Sequence, residues 1–290
     1  MKIIKIILLS LVAIYLIFNL AGCFTFRMGE KKRNRFFEDA HPAVRFGSTK
    51  NSPSGNQGIF FAETTNESAE NYLLFIHGSP GSGSNFYSFL KDTSLTKVAQ
   101  IGSIDRPGFG FSRFGVAEPS LKKQAERIET LLQKHKNQRI ILCGHSLGAP
   151  VAVQMALLFP DLIEGIFILA GSVDPILEPK EPWRKPMDHP LLSWLLPKSF
   201  RVSNREIIPL KKHLETMSLE WKNLRCKVYV LQGGKDKLVH PGNADFVASK
   251  VPLNQQTIIL IEDENHFIPF TNPELLTQHI LKFLNQYGKE

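Results

Sequence analysis

Apolar residues fall along this chain in two patterns. One is short and continuous: Tyr72–Ile76, Val98–Ile104, Arg139–Cys143, Gly165–Leu169, Lys227–Leu231 and Gln256–Ile261 are compact runs rich in Ile, Leu and Val. Such runs predict strands buried on both faces, since a strand with one wet face would alternate apolar and polar positions. The other pattern repeats with helical spacing, as in Leu121–His135 and Leu147–Phe159. Strands alternating with helices predict an α/β fold with a mostly parallel central sheet and helices on both faces. A last helix is predicted to open at Asn272-Pro273-Glu274, a cap residue followed by proline at the first helical position.

Three stretches depart from the alternation. Asn51–Gly58 is rich in Ser, Asn, Gly and Pro and reads as loop. Ser172–Asn223 holds seven prolines and all three tryptophans, Trp183, Trp194 and Trp221. It is too long for an ordinary connection and is expected to be a cap inserted between two strands, at about residues 172–223. The third is the N-terminus, where Lys2 and Lys5 precede the almost wholly apolar Ile6–Ala21.

That N-terminal run ends in Leu20-Ala21-Gly22-Cys23 and resembles a bacterial lipoprotein signal. The resemblance implies cleavage after residue 22, lipid on Cys23, and a body exported to the bacterial cell envelope and attached there by its acyl chains. Phe24, next in line, is not an acidic retention signal. The competing reading is an uncleaved transmembrane helix, and the charge favours it: Arg27, Lys31, Lys32, Arg33 and Arg35 follow the run, which would hold the C-terminal side in the cytoplasm. The expected division is a signal peptide over 1–22, a juxtamembrane tether over 23–58, and a body over 59–290.

Composition narrows the classes. With 43% hydrophobic and 21% charged residues, the 290-residue chain is globular rather than disordered, collagen-like or coiled-coil. Three cysteines are too few for a disulfide scaffold, and no CxxC or paired-His spacing marks a zinc site, so no metal is expected. The formal charge of +8 is concentrated near the N-terminus: residues 23–50 carry seven basic and three acidic side chains. That surplus could meet anionic lipid heads or be the solvated face of a tether. The body carries no basic-aromatic module, so a nucleic-acid partner is not expected. The oligomeric state is left open.

The chemistry begins at Arg139-Ile140-Ile141-Leu142-Cys143, which runs into Gly144-His145-Ser146-Leu147-Gly148 and then a helical pattern. This is G-x-S-x-G in its strand–turn–helix setting, a sharp turn that presents a serine hydroxyl away from the sheet. Three other motifs join it: His77-Gly78-Ser79-Pro80-Gly81 after a strand; Asp105-Arg106-Pro107-Gly108-Phe109-Gly110-Phe111-Ser112; and Gly233-Gly234-Lys235-Asp236-Lys237-Leu238-Val239 followed by Asn265-His266-Phe267. Together, over nearly all of residues 70–285, they resemble the α/β-hydrolase family. The resemblance implies a serine hydrolase needing no cofactor, with Ser146 as nucleophile, His266 as base and Asp236 as the acid that orients it. It implies the backbone N–H groups of Ser79 and Leu147 as oxyanion donors. His77, His145, Asp105 and Arg106 become scaffold.

Alternatives stay open at three positions. His240 rivals His266 as base, and Asp174 and Asp263 rival Asp236 as acid. The expected substrate is a small acyl compound, a carboxylic ester, and the cap's Trp, Leu and Pro content suggests an apolar-sided pocket unless Trp183 and Trp194 form the cap's own core. His77–Gly81 also looks like the His-Gly-Gly-Pro-Gly loop of proline iminopeptidases, with a departure at Ser79. Those enzymes need cap carboxylates, for which Glu178 and Glu181 are candidates among the opposing charges of Lys180, Arg184 and Lys185. A lipid-anchored binding protein that has lost catalysis is the third reading. Finally, Cys143 and Cys226 belong to strands separated by one other in this fold, roughly 10 Å apart, and are expected to be free, buried thiols.

Overall fold

The computed structural model describes residues 2–20, 24–49 and 58–287. Its centre is an eight-stranded sheet: β1 Val44–Ser48, β2 Phe60–Thr64, β3 Asn71–Ile76, β4 Ala99–Ile104, β5 Arg139–His145, β6 Ile163–Leu169, β7 Lys227–Gly233 and β8 Gln256–Ile261. The strands lie in the order β1-β2-β4-β3-β5-β6-β7-β8. From β4 to β8 every pairing is parallel, while β2 runs antiparallel to both β1 and β4.

The six strands expected from apolar runs are β3 to β8. Residues of β3, β4 and β5 are buried almost throughout, because helices cover both faces. On one side Leu121–Lys134 and Gly148–Leu158 pack Leu121, Ile128, Leu132, Val151 and Met155 against Tyr72, Leu74, Ile140 and Leu142. On the other, the last helix, Pro273–Tyr287, sets Leu276, Ile280 and Phe283 against Phe167, Tyr229 and Leu231. Side chains alternate between the two layers along each strand, as the pleat requires.

Cys143 and Cys226 are both free and buried. Cys143 stands opposite Phe167 of β6, which stands opposite Tyr229 of β7. Cys226 lies three residues before Tyr229, so about 10 Å along the strand is added to the width of two strand spacings. Burial pushes the Cys226 thiol up to about 12.

The segment expected to be a tether differs. Cys23 itself and residues 50–57 lie outside the described residues, but the rest of 24–58 is built into the fold. Helix Glu30–Phe36 leads to Phe37 and Ala40, which are buried in the second layer with Phe86, Tyr87 and Phe89. β1 then completes the sheet edge on β2. Its basic residues divide: Lys31, Lys32 and Arg35 are exposed, whereas Arg27 and Arg33 are built in. Arg27 donates to the Gly110 carbonyl at 2.6 Å, and Arg33 is buried with its guanidinium 4.1 Å from the Phe46 ring centre.

The cap lies between β6 and β7. It carries the short helices Arg184–Asp188, Pro190–Ser193, Lys198–Ile207 and Leu210–Ser218. One buried ion pair fastens it to the body: Arg106, at the end of β4, grips Glu206 through Nη1 at 2.8 Å and Nη2 at 3.0 Å. Arg106 also donates to the carbonyls of His77 and Gly78 and to Gln124. Its charge is therefore consumed in scaffolding, as expected. Among the described residues no helix is long and apolar enough to cross a membrane.

Candidate active site

β5 ends at His145, and the helix Gly148–Leu158 begins three residues on. The chain turns at Ser146, whose φ of 54° lies in the left-handed region that a non-glycine residue seldom occupies. Two bonds hold it there: its N–H donates to the Leu169 carbonyl of β6, and its carbonyl accepts from Ala149 N–H, both at 3.0 Å. The glycines on either side are required by close approach. A Cβ on Gly148 would lie 2.2 Å from the Ile76 carbonyl oxygen, and one on Gly144 would lie 2.5 Å from the Gly148 carbonyl oxygen. The strain is held by the sheet beneath it and presents the Ser146 side chain to a cavity.

His266 follows β8 in the loop before the last helices and lines the same cavity. Its Nδ1 is 2.8 Å from Oδ2 of Asp236, which follows β7. The other carboxylate oxygen accepts the N–H groups of Leu238 and Val239, each at 2.8 Å. Burial alone would raise this carboxyl. The His266 hydrogen bond and the two N–H donors outweigh it and hold the Asp236 pKa below the ordinary value. The carboxylate thus stays ionised, fixes the imidazole with its Nδ1–H toward Asp236, and leaves Nε2 to face elsewhere.

The rivals are placed otherwise. Asp174 turns Oδ1 to the N–H of Ile176, two residues on, and exposed Asp263 pairs with Lys235 at 2.6 Å. His240 lines the cavity, but its Nδ1 accepts the Gly242 N–H. His77 accepts the Arg106 N–H and donates to the Gly78 carbonyl; burial, then the nearby Arg106 charge, holds its pKa well below the usual value. His145 donates Nε2–H to the carbonyl of His266 at 2.9 Å and packs its ring 4.8 Å from the His266 ring. Burial and the neighbouring His266 bring its pKa down to about 4, so it serves as a neutral strut under the histidine loop.

Ser79 and Leu147 line the cavity beside Ser146. The Ser79 hydroxyl is buried and makes no hydrogen bond, an unmet donor at the edge of the site. The cavity, of about 370 Å³, is closed on the cap side by Leu177, Glu178, Glu181, Arg184, Ile207 and Leu210. Glu178 accepts from the Ser172 hydroxyl, and burial raises its pKa. Glu181 is paired with Arg184 at 2.6 Å. Trp183 and Trp194, 48% and 55% exposed, neither line this cavity nor form a cap core; Trp221 is buried in the body's core, edge-on to Phe246.

A second cavity, of about 310 Å³, also includes Ser146 and His266 in its lining. It shares Ser79 and Leu238 with the first, but its further walls are Phe26, Phe200, Phe267 and Phe270. Sequence reasoning missed this half of the site, since Phe26 lies in the expected tether and no spacing links it to Ser146. Among the described residues no group of His, Cys, Asp or Glu side chains is placed to hold a metal ion.

Comparison with known proteins bears on this geometry. The family described as alpha/beta hydrolase fold matches residues 71–196. The peroxisomal alpha-beta-hydrolase Lpx1 of Saccharomyces cerevisiae superposes with a TM-score of 0.62 at 12% identity, covering 84% of this chain and 88% of that one. The fold is the α/β-hydrolase fold. A bacterial membrane phospholipase A shares this α/β-hydrolase architecture at a TM-score of 0.65 and 17% identity, with both chains fully covered. A Haemophilus influenzae protein described as an esterase/lipase is 20% identical over 244 residues, covering 74% of this chain and 83% of its own. Relatives at 29–32% identity match over shorter stretches, and the chain spans only 7%, 33% and 24% of the length of three of them.

Proposed function

We propose that this α/β-hydrolase-fold protein is a serine hydrolase that cleaves a carboxylic ester through an acyl-enzyme. The observation that carries the reading is the convergence on one cavity of a serine at a strained turn and a histidine whose Nδ1 is bonded to a buried carboxylate. In the proposed reaction Ser146 Oγ attacks the ester carbonyl carbon while His266 Nε2 takes its proton. The tetrahedral oxyanion is held by the N–H groups of Ser79 and Leu147, and the proton then passes to the departing alcohol. Water, activated by the same histidine, attacks the acyl-serine and releases the acid.

Asp236 holds the imidazole in one tautomer and stabilises its cationic form. The esterase/lipase description of the Haemophilus influenzae relative agrees with an ester as the bond cleaved. No step requires a metal or an organic cofactor. The test is hydrolysis of short p-nitrophenyl esters by the wild type, Ser146→Ala and His266→Ala. The expected outcome is a fall of at least about a thousandfold in kcat for both variants, with wild-type Ser146 labelled by a fluorophosphonate. Equal rates in all three, with no label, would overturn the reading.

One observation favours a second substrate class. Glu178 and Glu181 do line the cavity, where a substrate ammonium could meet them. Arg184 already neutralises Glu181, which leaves Glu178 as the single available carboxylate. Cleavage of a proline arylamide faster than of any ester would support this aminopeptidase-like reading over the esterase.

A further inference from the structure

The N-terminal segment reaches the candidate site. Residues 24–28 lie across the body and are bonded to three separate elements. The Ser82 hydroxyl donates to the Phe26 carbonyl at 2.6 Å, and Met28 N–H donates to Ser84 Oγ at 3.1 Å, both just beyond the oxyanion loop. Arg27 reaches the Gly110 carbonyl and lies over the rings of Phe111 and Phe114. On the cap, the Ser199 hydroxyl bonds the Phe24 carbonyl. The rings of Phe24 and Phe26 meet Phe200 edge-on, at 6.2 Å and 5.5 Å.

Phe26 itself has φ 55°. A bulky aromatic residue in the left-handed region is an outlier that persists only when its surroundings impose it. Here Phe26 lies in the wall of the second cavity, within the same lining as Phe267, Phe270, Ser146 and His266. The ring is 40% exposed and Phe200 is 37% exposed, so the fold does not use them as core. Their free faces look onto space beside the candidate nucleophile. The two cavities differ in chemistry. The first combines aliphatic walls with the charged Glu178, Glu181, Arg184 and Lys237, whereas the second has no Asp, Glu, Lys or Arg in its lining and carries four phenylalanines beside Asn85 and His145.

We propose that Phe26 is a specificity-determining residue, and that the phenylalanine-walled cavity it closes takes a medium-length alkyl chain of the substrate ester. This rests on the serine-hydrolase reading for the chemistry, but the cavity and its wall stand apart from it. The N-terminal segment is then part of the substrate site. The first cavity takes the rest of the ester, and the second sorts esters by hydrocarbon length.

Two measurements on the full chain test this. The first is kcat/KM for p-nitrophenyl acetate, butyrate, hexanoate and octanoate. In the wild type it is expected to rise about threefold per methylene as far as hexanoate, the gain from burying each group in an apolar wall. In Phe26→Ala the hexanoate-to-acetate ratio is expected to fall about tenfold, with Phe26→Leu restoring most of it. Phe200→Ala should act in the same direction. The double variant should fall by less than the product of the two, because the rings form one wall. A flat wild-type series, or a ratio that Phe26→Ala moves by less than about twofold, overturns the proposal.

The second is calorimetric binding of hexanoate to Ser146→Ala and to Ser146→Ala/Phe26→Ala. The Kd should weaken about tenfold in the second; equal Kd values overturn the proposal. This arm needs no turnover. If every ester proves inert and Ser146 is unlabelled, the hydrolase reading fails on its own and hexanoate binding still decides the role of Phe26.

Discussion

The Ser79 hydroxyl is a small feature with a large expected effect. It is buried, unbonded and adjacent to Ser146, at the position where the His-Gly-Ser-Pro-Gly loop departs from a double glycine. A backbone donor at this position needs no particular side chain, so the orphaned hydroxyl calls for an account of its own. If it turns toward the oxyanion as charge develops, it adds a third donor that is used only in the transition state. Ser79→Ala is then expected to lower kcat about tenfold while KM changes by less than about twofold. It should also leave Tm unchanged or slightly higher, since an unmet buried donor is removed. An unaltered kcat would leave the oxyanion to the backbone N–H groups alone. At this scale much of the site was legible in the sequence. The elbow glycines, Ser146 and the Asp236–His266 pair announce themselves because turn geometry and strand ends constrain them. The rivals Asp174 and Asp263 stayed open in the sequence, since only coordinates show which carboxylate faces the imidazole. Phe26 carried no signal at all, because its role comes from a contact with residues more than fifty positions away.

Among elements, legibility followed the continuity of apolar runs. β3 to β7 are read directly from such runs because helices cover both of their faces, and β8, a part-buried edge strand, still carries one in Ile258–Ile261. β1 and β2 are not, because at this antiparallel edge β1 has no buried residue and β2 buries the polar Glu63 and Thr64 in place of an apolar run. What fixes them is a polar residue. Glu63 of β2 is buried, and Arg45 of β1, at 2.7 Å, Lys134 and His135 converge on its carboxylate. Burial alone would raise this pKa; hydrogen bonds from His135, Lys134 and Arg45 bring it down to about 2. A folded-state value below the unfolded one means that the group stabilises the fold above its unfolded pKa, and that this contribution fades as pH falls toward the folded value. Glu63→Gln is therefore expected to lose about 2–3 kcal/mol at pH 7 in urea unfolding. The gap to the wild type should close progressively between about pH 5 and pH 2. A difference that stays constant over that range would mean that Glu63 acts through packing rather than charge.

For the whole molecule, the question is how the N-terminus holds the body. Met1–Gly22 reads either as a cleaved lipoprotein signal or as an uncleaved anchor. The residues after it are stitched to the cap and to the oxyanion side of the body. Cys23 precedes Phe26 by three residues, so by chain length the two lie no more than about 10–11 Å apart. We propose that Cys23 carries the lipid. Acyl chains there would hold the phenylalanine-walled cavity within about that distance of a membrane surface, where alkyl esters partition. The protein would then meet substrate at the bilayer rather than search for it in water. In a bacterial host supplied with labelled palmitate, the wild type is expected to take up label and sediment with membranes. Cys23→Ala should be unlabelled. If the signal is cleaved only after lipid attachment, the variant keeps its apolar run, so sedimentation alone cannot separate the readings. Label and mass together can: a wild-type product lacking residues 1–22 and carrying acyl mass on Cys23 supports the lipid anchor. An unlabelled full-length wild type that remains in the membrane would replace it with a transmembrane anchor at residues 6–21. In that case the charge surplus beginning at Arg27 would place the body on the cytoplasmic side.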